Sequence, residues 1–234
     1  MLKDKARIAV LVSGGGTNLQ ALIDAQKQGK IKHGEIVVVI SNNPDAYALK
    51  RAEDNGIKNV VVNKKQFNNH QEFEAELCRV IDENHVDMIV LAGFMSILSE
   101  NFTSRYTRRI INVHPSLIPS FCGKGYYGLN VHVAALRYGV KVTGATVHYV
   151  NEIPDGGEII MQRAVKVLKN DSPQSLQQRV MEQAEWIILP KACEEVSKRL
   201  LKEKVILISV MKREKHLQKQ LTQMAATWDN MRRI

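Results

Sequence analysis

Three short segments carry residue types suited to chemistry. The first is Asn112-Val113-His114-Pro115-Ser116. In an extended chain alternate side chains share a face, so Asn112 and His114 point the same way, one pleat apart. An amide donor beside an imidazole can stabilise a developing oxyanion and move a proton next to it. A lone histidine at a strand end is more often satisfied by backbone, so His114 needs partners before it reads as catalytic. The second segment is residues 151–157, NEIPDGG. Asp155-Gly156 is a turn-forming dipeptide, and Asp155 is also a carboxylate that would favour the charged form of His114 if aimed at it. Nothing in the spacing alone brings the two together. The third segment is Ser13-Gly14-Gly15-Gly16-Thr17-Asn18. Its glycines allow a tight turn whose N–H groups can face an anion, and a helix N-terminus behind it adds partial positive charge. It lacks the GK[ST] of a P-loop and the last glycine of a dinucleotide fingerprint. Thr17 or Asn18 could equally do no more than cap the helix.

These segments must be positioned by something, and the pattern around them predicts what. Apolar runs at residues 6–12, 35–41, 60–62, 87–92 and 109–113 alternate with helical patterns at 19–28, 45–55 and 70–83. Such alternation means βαβ units, a parallel sheet and helices on both faces. The Gly-rich loop and Asn112/His114 then fall at C-terminal strand ends, the rim where open α/β sheets bind ligands. After residue 114 the pattern changes. Residues 115–129 read as a long loop, 130–138 as a helix, and 142–150 and 158–167 as two strands joined closely enough for a hairpin, which makes the sheet mixed. A single helix is expected over 172–199, opened by Ser172-Pro173. Residues 205–210 read as an edge strand and 212–223 as a basic helix.

Taken together, Gly-Gly-Gly-Thr-Asn-Leu-Gln at 14–20, Leu-Ala-Gly-Phe-Met at 91–95, Asn-Val-His-Pro-Ser-Leu-Ile-Pro at 112–119 and Asp-Gly-Gly at 155–157 stand in an order and spacing that resembles the glycinamide ribonucleotide transformylase family over residues 6–200. The resemblance implies an α/β formyltransferase fold: a mixed, mostly parallel sheet of about seven strands with a Rossmann-like first half. It implies transfer of a formyl group from 10-formyltetrahydrofolate to the amine of 5-phosphoribosyl-glycinamide in purine synthesis, without a metal. By the same resemblance Asn112, His114 and Asp155 are catalytic. Gly16, Thr17, Asn18 and Glu185 hold the ribonucleotide. Met95, Ser96, Ile97, Leu98, Asn112, Asn151 and Glu152 meet the folate, with His70 near its acidic tail. Ser96 and His70 stand where the family often has basic residues. The segment before Glu185 is one residue longer, and 121–129 is longer than in short members. Residues 1–204 would form the formyltransferase domain, its first half for the ribonucleotide and its second for the folate. Residues 205–234 form a basic tail without a catalytic candidate.

Composition bounds the rivals. With 44% hydrophobic residues the chain can bury a core of its own. Its net charge is +9, but residues 198–234 hold ten Lys/Arg against three Asp/Glu, which leaves a nearly neutral body at +2. Charge placed this way reads as a solvated helix, with no nucleic-acid partner. Three widely spaced cysteines, Cys78, Cys122 and Cys193, form no zinc pattern and suit a reducing cytoplasm. No apolar run has the length of a membrane span. A monomer or homodimer acting on small molecules is expected. The alternatives are a deformylase-like hydrolase, a methionyl-tRNA formyltransferase, and a non-enzymatic nucleotide- or RNA-binding module that leaves Asn112, His114 and Asp155 without a task.

Overall fold

The computed structural model describes the backbone of residues 5–231, and their side chains except at 219 and 223–231. The elements run β1 (Ala6–Val12), α1 (Thr17–Lys27), β2 (Gly34–Ser41), α2 (Tyr47–Asp54), β3 (Asn59–Val61), α3 (His70–Glu83), β4 (Met88–Leu91), α4 (Glu100–Arg105), β5 (Ile110–His114), α5 (Leu129–Tyr138), β6 (Val142–Tyr149), β7 (Ile159–Lys166), α6 (Pro173–Val180) and α7 (Trp186–Met231). The strands form one sheet in the order β3-β2-β1-β4-β5-β6-β7. The pairings from β3 through β5 are parallel, and those of β5 with β6 and of β6 with β7 are antiparallel. This is the mixed, mostly parallel sheet that the alternation and the hairpin imply.

Successive side chains of a strand face opposite sides, and here both sides are covered. Ile8, Val10 and Val12 pack with Leu19, Leu22, Leu189 and Cys193 on one face. Ala9 and Leu11 pack with Phe73, Leu77, Ile81 and Phe102 on the other. A strand buried on both faces has no polar alternation, which is why β1 and β4 read as continuous apolar runs. Each large side chain so buried stabilises the fold by roughly 1.5–3 kcal/mol.

The neighbours of β1 are β2 and β4. The strand order therefore reverses at this point, and loops leaving β1 and β4 diverge to open a crevice beyond their C-terminal ends. The Gly-rich loop leaves β1, and residues 92–98 leave β4.

The C-terminal region differs from expectation in two ways. The helix expected over 172–199 is interrupted by a π turn at Met181–Glu185, and Pro190 follows inside α7. Proline removes one backbone donor and crowds the preceding turn, and wide turns relieve such crowding. The wider turn also has room for the additional residue ahead of Glu185. Residues 205–210 are not an edge strand. They lie inside α7, which runs on through residues 212–223. Val205, Ile206 and Ile208 favour strands when taken alone. No glycine or proline occurs from 191 to 231, however, and extending an existing helix gains a hydrogen bond for each residue fixed. The short helix α4, capped by Ser99, is an element that periodicity did not reveal.

Candidate active site

β5 and β6 set the centre of the site. Asn112 pairs across with His148, and His114 with Thr146. Asn112 and His114 both line a cavity of about 720 Å³, as alternation predicts. The turn after β6 brings Asp155 to them. Asp155 has φ 57°, a left-handed conformation that Asp and Asn tolerate better than most residues. Gly157 permits the turn to lie against β6, since a Cβ there would sit 1.8 Å from the Tyr149 carbonyl oxygen.

The Asp155 carboxylate faces two imidazoles. Its Oδ2 lies 3.4 Å from His114 Nδ1, and its Oδ1 lies 3.6 Å from His148 Nε2. The Gly123 N–H donates to Oδ2 at 2.8 Å. Burial acts to raise the Asp155 pKa, but contacts with His148, His114 and the Gly123 N–H outweigh it, and the carboxyl sits below its ordinary range. His148 directs Nδ1 at the Tyr149 carbonyl, 2.7 Å away, and Nε2 lies 3.2 Å from Asn112 Nδ2. The amide of Asn112 is thereby held by the same network.

His114 shows a balance that the sequence did not anticipate. Its Nε2 lies 2.9 Å from the Phe121 carbonyl oxygen, which requires a proton on that nitrogen. Its Nδ1 faces the carboxylate, which favours a second. Burial opposes this and wins, so the His114 pKa lies below the ordinary histidine value although Asp155 and Phe121 pull it upward. Asp155 does favour the charged form of His114, as a carboxylate aimed at the ring should, but burial outweighs it. In the free chain the carboxylate only limits the loss caused by burial.

The Gly-rich loop is fastened from behind. The Gly14 carbonyl accepts from Ala48 N at 3.0 Å, and the Gly16 carbonyl from Gln20 N at 2.9 Å. The Gly15 carbonyl accepts from Arg51 Nε at 2.8 Å. In a trans peptide the N–H points opposite to the C=O, so carbonyls drawn toward α2 leave the next residues' N–H groups facing away from it. Residues 13–18 line a second cavity of about 280 Å³ with Ala92, Gly93 and Met95. Gly16 has φ 71°, and a Cβ there would meet the Ala48 Cβ at 2.6 Å, so its glycine is needed for the fold itself.

Asn18 joins the two cavities. Its Nδ2 donates to Glu185 Oε2 at 2.7 Å, across the gap between α1 and the π turn. Glu185 is buried, which raises its pKa to about 7, with Asn18 acting against the rise. A carboxyl whose folded pKa lies above its unfolded value stabilises the fold below the unfolded pKa, and that stability is lost as pH rises through the folded pKa. Glu185→Gln is therefore expected to raise the melting temperature relative to the parent more at pH 8 than at pH 5. Equal shifts at both pH values would show that Glu185 is not held as a buried acid.

Other expected residues are placed unevenly. Met95, Ser96 and Ile97 line the larger cavity, and Ser96 Oγ accepts from Asn42 Nδ2 at 2.9 Å. Leu98 instead packs into the core beside Phe102, because the chain turns inward to begin α4. Asn151 and Glu152 are not among the cavity's lining residues, where Pro154 and Asp155 represent that loop. The Asn151 side chain is spent on the Ile153 N–H. His70 pairs with Glu74 at 3.1 Å on the first turn of α3 and does not line the cavity either. Thr17 lines the smaller cavity with Gly16 and Asn18. The lining of the larger cavity spans residues 18 to 185, so both halves of the chain build it. The Cys122 thiol is pushed up by burial and then by Asp155, which makes it less reactive.

Four further residues belong to the site that motifs did not point to. His132 is fully buried on α5, and among the described residues neither of its ring nitrogens has a hydrogen-bond partner. Burial, then the proximity of His114, lowers its pKa to about 4. Lys124, Tyr126 and Tyr127 line the cavity from the Gly-rich stretch after β5. A histidine between Val131 and Ala135 on an apolar helix face was the one signal in the sequence for His132.

A family model described as formyl transferase matches residues 6–193. The chain belongs to the formyl transferase family. Among its relatives, phosphoribosylglycinamide formyltransferase of Haemophilus influenzae is 44% identical over 184 residues, 79% of this chain and 84% of that protein. The human trifunctional purine biosynthetic protein adenosine-3 is 44% identical over 195 residues, 83% of this chain but 19% of that protein. The chain spans 13–19% of the length of such trifunctional relatives. The crystal structure of glycinamide ribonucleotide transformylase 1 from Symbiobacterium toebii superposes with a TM-score of 0.78 at 38% identity, covering 83% of this chain and 88% of that one. Among the described residues, no helix is long and apolar enough to cross a membrane.

Proposed function

We propose that the chain transfers the formyl group of 10-formyltetrahydrofolate to the amine of 5-phosphoribosyl-glycinamide. The observation that carries this reading is the convergence of Asn112, His114 and Asp155 on one cavity that reaches, through Asn18, the phosphate-sized pocket of the Gly-rich loop. The loop's outward N–H groups suit the phosphate, and Asn18 with Glu185 suits the ribose hydroxyls. Phe94, Met95, Ile97 and Pro154 offer apolar surface for the pterin. Asn18 Oδ1 and both His132 nitrogens are buried polar atoms without a protein partner among the described residues, as fits groups completed by a bound substrate.

In the reaction the amine attacks the formyl carbon, a carbon–nitrogen bond forms, and the formyl oxygen takes up negative charge. Asn112 Nδ2 and the His114 Nε2 proton stabilise that oxyanion, the latter exchanging its hold on the Phe121 carbonyl for it. The developing negative charge opposes the effect of burial on His114. The bond from the formyl carbon to the folate nitrogen then breaks, and the proton lost by the amine ends on that nitrogen. A formyl-transfer assay with 5-phosphoribosyl-glycinamide, water and methionyl-tRNA as competing acceptors tests the reading. Turnover with the ribonucleotide alone is expected, and preference for either other acceptor would replace it.

Lys124 is the one lysine or arginine lining the larger cavity among the described residues. Both substrates are anionic. Lys124→Met is expected to raise the KM for an anionic substrate about tenfold with little change in kcat, more so at low salt. Unchanged KM values for both substrates would remove Lys124 from the site.

A further inference from the structure

The second half of α7 has no counterpart in the chemistry above. Beyond Leu201 every side chain described is exposed. Ile206, Leu207, Ile208, Val210, Met211, Leu217 and Leu221 are each 43–62% exposed and Val205 is 39% exposed, an unusual display of large apolar groups on one helix. Four of them, Leu207, Val210, Leu217 and Leu221, fall in a regular series. Positions 200, 203, 207, 210, 214, 217 and 221 advance by alternating steps of three and four, and five of the seven are Leu or Val. In the sequence Met224 and Trp228 continue the series. A strict seven-residue repeat keeps one seam in line only when two helices wind about each other, whereas a helix packed on a globular core drifts toward a period of 3.6.

We infer that this seam joins the chain to a second copy of itself as a coiled coil. Charge placement supports a self-complementary seam. With Leu207 and Val210 at the two core positions of the repeat, Lys202, Lys212 and Lys215 fall at outer positions away from the seam. The flanking positions between 206 and 220 hold Ile206, Met211, Arg213, Gln218 and Gln220, so a single charged residue stands among them. Glu203 and Glu214 both occupy core positions, and polar residues there restrict the registers in which two helices can pair, at a cost in stability. The six at core and flanking positions, Ile206, Leu207, Val210, Met211, Leu217 and Leu221, offer about 500 Å² per chain, so a symmetrical pair that covers them buries about 1,000 Å², the lower bound for a specific interface. From Leu201 to Met231 the helix extends about 45 Å at 1.5 Å per residue. Its base meets the body at a groove of about 600 Å³ lined by Ala6, Asp87, Arg109, Ile206, Leu207 and Val210. Ala6, Asp87 and Arg109 mark the N-terminal ends of β1, β4 and β5, opposite the rim that carries the active site. Pairing therefore leaves the cleft open.

Sedimentation velocity of the full chain at micromolar concentrations tests this. A species of twice 26.4 kDa is expected. Leu217→Glu puts a charge into the seam and is expected to weaken the pair by about 100-fold or more, while Lys215→Glu on the outer face leaves it intact. Thermal melting of the globular body and turnover per chain are expected to be unchanged in both variants. A parent chain that sediments at the mass of one copy throughout would overturn the inference. So would equal dissociation of the two variants, or a single-copy chain whose tail binds anionic phospholipid vesicles or duplex DNA instead. An absence of formyl transfer in all three proteins would count against the proposed reaction and leave the sedimentation result standing.

Discussion

Replacing Asp155 by Asn is expected to lower turnover by about 100-fold or more, the loss typical of one electrostatic element in a catalytic site. The substitution keeps the turn, because Asn tolerates the left-handed conformation at this position. It keeps an acceptor for the Gly123 N–H and removes only the charge. Burial already holds the His114 pKa below the ordinary histidine value, and Asp155 opposes that shift. Without the carboxylate the pKa falls further. Activity that depends on protonated His114 is lost as pH rises through that pKa, so the limb of the kcat/KM profile moves to lower pH. His114→Ala is expected to cost as much, and the double variant little more than either, because groups acting as a unit are not additive. Kinetics of the three variants across pH decide the matter. Fully additive losses, or an unmoved profile in Asp155→Asn, would show that the two residues do not work as a pair.

Filling the Gly-rich loop is the second large effect. Gly16 is unsuited to the experiment, since a Cβ there collides with Ala48 and would disturb α2. Gly15 is suited to it. It lines the smaller cavity, a Cβ at this position meets nothing within 4 Å, and its carbonyl stays with Arg51. Gly15→Val is expected to weaken ribonucleotide binding about 100-fold or more, by blocking the approach of a phosphate to backbone N–H groups. Folate binding and the melting temperature are expected to change little. Titration calorimetry with each substrate separates the effects. Unaltered ribonucleotide affinity in the folded variant would move the phosphate elsewhere.

The residues themselves determined the strands, the parallel half of the sheet and the hairpin. Each rests on a local signal: the unbroken apolar runs of β1 and β4, and the short polar link between β6 and β7. Alternation along β5 also determined that Asn112 and His114 share a face. What local signals do not carry is distance across the fold. Only the antiparallel pairing of β5 with β6 put His148 beside Asn112, and only the Asp155 turn, closed by Gly157, set one carboxylate between two imidazoles. The sequence likewise showed strand-forming residues at 205–210 but not the 46-residue helix that overrides them, because helix extension depends on the turn before. The charge state of His114 was the furthest from reach. It is a difference between burial and attraction, and burial exists only once β5, α5 and the stretch from Phe121 to Gly125 have closed around the ring.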